Sequence, residues 1–220
     1  MTEGNATGSA PVEPGLNQPA FGRRTFVVGA VGVAALFAVG GVGKAVAGER
    51  ALLRPPGAQD DQRLLGACIK CDRCRSVCPE NVIDVAHLED GLVNARTPKM
   101  NFHRGYCTFC EGEYRCATVC PTSAIAFGFD EASDKIGVAA IDSEQCLLFR
   151  SGSGKCSREC VSACAYDALS TDDAGRIVVD ESKCNGCGAC EYECPSASYG
   201  SFTGSLRRGI NVEPLEGGGR

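Results

Sequence analysis

From residue 68 onward, apolar and polar positions follow a short rhythm that restarts several times. After Cys78 and Pro79, Val82 and Ile83 precede a polar stretch at 87–91, and Leu92 and Val93 follow. After Cys120 and Pro121, an apolar run at 124–127 precedes a polar stretch at 130–135 and the run 136–138. After Cys164, Ala168 and Leu169 precede the polar turn 172–175 and the run 177–179. Short apolar runs on either side of a polar turn predict small β-hairpins, each preceded by a cysteine loop and a short helical turn. The first cysteines of the successive loops are Cys68, Cys107, Cys146 and Cys184, spaced by about 39 residues, so one supersecondary unit is repeated four times. The one long apolar run lies outside this region, at residues 26–43. It has the length of a membrane-helix candidate but is rich in Gly and Ala.

Composition narrows the picture. A chain of 220 residues with no tryptophan and few aromatics is unsuited to a large apolar core. A formal charge of −5, with no long basic run, argues against a nucleic-acid partner. The sixteen cysteines fall into four groups of four with none left over, which matches one thiolate per iron in four cubane sites. Small domains of this kind are held together by their inorganic centres, so metal binding and folding should be coupled.

The fourth group, Cys184, Cys187, Cys190 and Cys194 followed by Pro195, has the clearest signature. A tight loop can turn three thiolates onto one 4Fe–4S cube while the fourth cysteine serves a neighbouring cube. Gly186 and Gly188 allow the dihedrals this loop requires. Structural zinc favours two separated C-x2-C knuckles, and disulfides have no use for three sulfurs within seven residues. Cys68, Cys71, Cys74 and Cys78, followed by Pro79, repeat the pattern. Cys107, Cys110, Cys116 and Cys120, followed by Pro121, widen it with five residues between Cys110 and Cys116. Cys146, Cys156, Cys160 and Cys164 depart most, with a nine-residue first gap and Ala165 in place of proline. On a continuous helix, Cys156, Cys160 and Cys164 would be strung over about 12 Å, too far for one cube. Either the helix breaks near Cys160 or Cys164 serves the neighbouring cluster. The Gly- and Ser-containing loop 147–155 leads us to expect this third site to be the most exposed and labile of the four.

Other motifs carry little. Residues 151–155 hint at a phosphate loop but lack its required Gly and Ser/Thr. No C-x-x-C is followed by histidine, which excludes a c-type haem, and His87 and His103 lie outside the cysteine groups. No nucleophile–base pair or acid/base pair stands out, so the expected role is electron carrier, not enzyme.

Arg23 and Arg24 directly precede the apolar run, with Phe26 two residues further on. This arrangement resembles a twin-arginine export signal, and Ala45 and Ala47 supply small residues for cleavage. Cleaved signal and retained anchor both remain open for residues 1–47. Cubane clusters must be assembled where thiols stay reduced, so a route that exports folded proteins fits this cysteine content. Residues 48–66 read as a linker, 67–200 as the four-repeat region and 201–220, which holds Arg207 and Arg208, as a flexible tail, with a docking segment as the alternative.

Together, the twin arginine, the Leu-Leu-Arg-Pro-Pro-Gly-Ala stretch at 52–58 and the four cysteine groups resemble the NapG/MauM family of periplasmic ferredoxin-type proteins. The resemblance covers residues 23–195. It implies an α+β fold of two ferredoxin-like dicluster modules with four 4Fe–4S clusters. It also implies electron transfer between a membrane quinol dehydrogenase and an extracytoplasmic reductase or cytochrome, with membrane association through a partner or the N-terminal segment. The longer second gap and missing proline of group three depart from the family pattern. Two other roles stay open: the electron-transfer subunit of a molybdopterin oxidoreductase, and a maturation factor with structural clusters. Cluster pairing is also open. Sequential pairing would put Cys120 on the cube of Cys68, Cys71 and Cys74. Nested pairing, towards which the build of the resembling oxidoreductase subunits leans, would put Cys194 there.

Overall fold

The computed structural model describes residues 51–131, 133–150, 156–198 and 207–215. The signal candidates Arg23, Arg24, Phe26, Ala45 and Ala47 lie outside the described residues, as does the 151–155 loop. Among the described residues, no helix is long and apolar enough to cross a membrane. The described residues form one compact unit.

The described helices are short. Helix α1 (Asp61–Ala67) starts where the Asp60 carboxylate accepts the Arg63 backbone N–H at 3.1 Å, satisfying one of the first-turn donors. It buries Leu64 completely. Four single-turn helices follow the cysteine loops: α2 (Arg73–Ser76), α3 (Arg115–Thr118), α5 (Glu159–Ser162) and α6 (Ala189–Tyr192). A fifth, α4 (Leu147–Arg150), directly follows Cys146. Six short strands pair into three two-stranded antiparallel sheets.

Of the three expected hairpins, only the third forms as read. Strand β4 (Leu169–Thr171) pairs with β5 (Ile177–Val179), Leu169 opposite Val179. The Asp172 carboxylate closes the turn by accepting the N–H groups of Ala174 and Arg176. In the first unit, β1 (Ile83–Val85) passes over Leu92 and Val93 to pair with β2 (Pro98–Met100). Leu92 and Val93 are 80% and 54% exposed. A 3₁₀ turn at Leu88–Asp90 lengthens this connection, and the Asp90 carboxylate pins it by accepting the His87 N–H and pairing with Lys99. The second hairpin does not form. The Ile136 N–H donates to the Asn185 carbonyl, and β3 (Val138–Ile141) pairs with β6 (Ile210–Glu213).

That pairing corrects the reading of the tail. Ile210, Asn211 and Val212 are all buried, with the Asn211 side-chain amide donating to the Arg208 carbonyl, and only Glu213 at the strand's end is partly exposed. Arg208 is not a docking residue. Its buried guanidinium donates to the carbonyls of Glu191 and Tyr192. The linker reading of 48–66 is also corrected, because residues 51–66 are part of the folded body. Arg54, Pro55, Ala58 and Leu64 are buried. The Arg54 guanidinium donates to Asp61 (2.7 Å), Asn94 Oδ1 (2.7 Å), Thr97 Oγ1 (2.9 Å) and the Pro98 carbonyl (3.0 Å). Four acceptors make burial of this charge tolerable.

Two apolar clusters result. The larger gathers Leu64, Val82, Ile83, Phe102, Phe109, Ile125, Phe129 and Ile136 with neighbours, and Val212 joins it from the C-terminal strand. The smaller is built from Ala139, Leu169, Ile177 and Ile210 together with Cys160, Cys190 and Cys194. Cysteines are members of both clusters or pack against them, as expected of small cluster-binding domains of mixed helix and strand.

Candidate metal centres

The same local device places the third cysteine of every group. The residue two positions before it is left-handed: Asp72 (φ 60°), Tyr114 (φ 44°), Arg158 (φ 63°) and Gly188 (φ 85°). Each begins a single helical turn that carries Cys74, Cys116, Cys160 or Cys190 as its second residue. Only the fourth unit uses glycine there. The others hold non-glycine residues in a region that costs on the order of 1–3 kcal/mol each, as ligand clamps often do. In the first three units a second left-handed residue follows the last cysteine by three positions: Asn81, Ser123 and Asp167.

Each group gives its last cysteine to a neighbouring group. Cys68, Cys71, Cys74 and Cys120 border one hollow. Burial pushes the Cys74 thiol up to about 11, against one backbone hydrogen bond, and the neighbouring thiols of Cys68, Cys71 and Cys120 add to the rise. Cys78 joins Cys107, Cys110 and Cys116 around a second hollow. Here burial raises Cys107, and Cys116 is pushed up to about 12. Cys164 joins Cys184, Cys187 and Cys190 around another, where burial pushes Cys187 up to about 11. The remaining set is Cys146, Cys156, Cys160 and Cys194. Burial raises Cys160 to about 12, and the other three thiols of the set add to it. Pairing is therefore sequential. The nested arrangement is overturned, because Cys120 and not Cys194 lies with Cys68, Cys71 and Cys74.

The third group resolves as one of its two alternatives. Cys156 precedes helix α5, which ends at Ser162, and Cys164 faces the fourth group. Its expected exposure is contradicted. Cys146, Cys160 and Cys194 are buried and Cys156 partly so, whereas Cys71 of the first set is the one exposed cysteine of the sixteen. The C-terminal strap explains the difference. Gly209 passes so close to Cys146 that a Cβ there would lie 2.7 Å from the Cys146 Cα. The Gly209 N–H also donates to Ser196 Oγ beside Cys194.

Backbone donors reach several sulfurs. The Ala139 N–H donates to Cys184 Sγ (3.4 Å) and the Ala168 N–H to Cys164 Sγ (3.3 Å). At Cys120 burial acts upward, but N–H groups of Ile125, Thr122 and Ala124 outweigh it and lower the thiol. Such bonds stabilise thiolate and tune a bound cluster.

Neighbouring sets touch in a definite order. Helix α2 packs on α3, bringing Cys74 near Cys116, and α5 packs on α6, bringing Cys160 near Cys190. The second and fourth sets meet where the Cys107 N–H donates to the Cys187 carbonyl at 2.8 Å. Two glycines make this approach possible. A Cβ on Gly186 would lie 2.4 Å from the Gly137 backbone nitrogen, and one on Gly188 would lie 2.0 Å from the Phe102 ring. At the same junction Glu131 accepts from Tyr114 Oη (3.3 Å) and Tyr166 Oη (2.9 Å), beside stacked Phe109 and Phe129. Sequence reasoning missed this clamp, because residues 131 and 166 carry no local motif.

The donor chemistry fits cubane clusters. Each of the three hollows is bordered by four sulfurs, the number that a cubane with an iron for every thiolate needs. Among the described residues, one buried side-chain donor in a cysteine loop, Arg158 Nε, lacks a partner, and a sulfide acceptor of a bound cluster would satisfy it. His87 and His103 are exposed, and neither belongs to a set.

The 4Fe-4S dicluster domain family matches residues 67–124 and 154–198, stretches that include every ligand candidate except Cys146. The ferredoxin-type protein NapG of Escherichia coli K12 is 32% identical over 193 residues, covering 80% of this chain and 83% of that protein. The methylamine utilization ferredoxin-type protein MauM of Methylophilus methylotrophus is 31% identical, covering 81% and 84%. The ferredoxin-type protein NapF of Escherichia coli K12 is 30% identical, covering 65% and 80%. With its matched dicluster stretches and near-full-length relatives, the chain belongs to the NapG/MauM family of ferredoxin-type iron–sulfur proteins.

Proposed function

We propose that this protein is an exported electron relay holding four 4Fe–4S clusters. It would connect a membrane quinol dehydrogenase to an extracytoplasmic reductase or cytochrome. The reading is carried chiefly by the exchange of last cysteines, which completes four sets of four thiols with none left over. When bound, each cluster supplies a centre that accepts and returns one electron. The chain's own residues hold those centres in a row. Cys74 beside Cys116, Cys107 beside Cys187 and Cys190 beside Cys160 give the order first, second, fourth, third set. Apolar residues around the second and fourth sets exclude water and keep the thiolates from exchanging with solvent. The thiols must lose their protons on loading, so iron uptake should release protons and weaken in acid.

Residues 1–47 act as a twin-arginine signal in this reading, which sends the protein out of the cytoplasm after its clusters are in place. The test is anaerobic purification from the exported fraction. About sixteen iron atoms and as many acid-labile sulfides per chain, with visible absorption bleached by reduction, are expected. Zinc, or disulfides without iron, would overturn the proposal. Replacing Arg23 and Arg24 with lysine should leave loaded protein in the cytoplasm, and normal export would refute the assigned route.

A further inference from the structure

The surroundings of the first set differ from those of the second and fourth. The hollows of the second and fourth sets are lined by no charged side chain. The hollow of the first set is lined by Lys70, Arg73, Arg75 and Arg96, with Asp72 and Asp84 as the only acids. Both acids are already engaged: Asp72 pairs with Arg96 at 2.7 Å, and Asp84 accepts from Asn101 and pairs with Arg104 at 3.5 Å. Among the described residues Lys70 and Arg73 have no ion-pair partner, so positive charge remains in surplus around exposed Cys71. Ile69, 62% exposed, adds an apolar contact at the same edge. This basic face stands out on a chain whose net charge is −5.

Resting on the relay reading above, we propose that this face is the port through which electrons enter or leave. It fits a redox protein that presents acidic side chains around its own exposed cofactor. A basic rim steers such a partner, while Ile69 and the exposed Cys71 edge bring the two centres close. The other end of the row is covered by the C-terminal strap, and this leaves the first set as the open terminus.

An acidic flavodoxin serves as the probe. Each reduced flavodoxin gives up one electron and the oxidised protein takes up one, with no other reactant. Calorimetry of the two oxidised proteins measures docking without electron transfer, and stopped-flow absorbance measures the exchange. Docking and rate should both be strongest at low salt and fall as salt is raised. Lys70→Glu with Arg73→Glu should slow the low-salt exchange by about tenfold or more and remove its salt dependence, whereas Arg176→Glu, at the exposed turn between β4 and β5, should leave both unchanged. Iron content of each variant is measured alongside. A loaded double variant that docks and exchanges like the native protein overturns the port alone. So does one that loses only its binding to phosphatidylglycerol vesicles, because the face would then contact membrane. A native protein without iron overturns the relay and the port together.

Discussion

The first and third cysteine sets use the same local geometry in opposite settings. Both place their third cysteine on a single helical turn behind a left-handed residue, Asp72 or Arg158. The first set lies at the edge of the larger apolar cluster with Cys71 exposed, although its own loop is the more regular of the two. The third has the long, irregular loop, yet it is buried beneath β6 and the Arg208 segment. Access to a cluster site is therefore decided by what the rest of the chain lays over it, not by the composition of its loop. Burial in turn sets how freely a site exchanges with solvent, and so which site can meet a partner.

The largest expected effect removes that cover. A chain ending before Arg207 loses the β3–β6 pairing, buried Ile210 and the Arg208 contacts. Its third and fourth sets should release iron to a chelator at least about tenfold faster, with the first set little changed, as followed by iron release and electron paramagnetic resonance. Unchanged release from the third set would break the comparison. In the native protein the order reverses, and the first cluster should be lost soonest on exposure to oxygen or chelator. In Cys71→Ser that fast phase should disappear, while in Cys146→Ser it should persist.

Smaller effects sharpen the contrast between the two straps. Arg54→Ala strips a buried cation from Asn94, Thr97 and the Pro98 carbonyl, and should cost roughly 2–4 kcal/mol in denaturant unfolding. Arg208→Ala leaves the Glu191 and Tyr192 carbonyls without their donor. It should cost about 1–3 kcal/mol and speed iron loss from the third set but not from the first. The smallest effect is on pH. Burial pushes the Asp90 carboxyl up, but its hydrogen bonds from Lys99 and the His87 N–H outweigh burial and hold it below the ordinary carboxylate range. Its contribution is present above the ordinary aspartate value, about 3.9, and is lost as pH falls through the lower folded value. Asp90→Asn should flatten the acid limb of the unfolding curve.

Much of the site was legible in the sequence, because cysteine spacing reports directly on ligand geometry. The unusual dihedrals at Gly186 and Gly188 were legible for the same reason. Exchange of the last cysteine followed from the two-cluster rule at Cys164. Which groups exchange did not follow, because pairing depends on long-range packing of α2 on α3 and of α5 on α6. The two straps were missed for a related reason. Residues 54–57 read Arg-Pro-Pro-Gly and residues 207–209 Arg-Arg-Gly, local compositions that look like linker and tail. Arg54 is buried only because Asn94, Thr97 and Pro98 arrive from another turn of the chain. The alternation at Ile210–Glu213 was the one available signal, and it spans a single short strand.

The central claim is that neighbouring groups exchange their last cysteines and so hold four clusters in one row. Iron anomalous diffraction from crystals of the anaerobically purified protein tests it most directly. The expected map has four cubane iron sites, with Cys120 Sγ bonded to the cluster of Cys68, Cys71 and Cys74, and Cys194 Sγ bonded to that of Cys146, Cys156 and Cys160. A map with Cys194 on the first cluster, or with fewer than four iron sites in fully loaded protein, would contradict it.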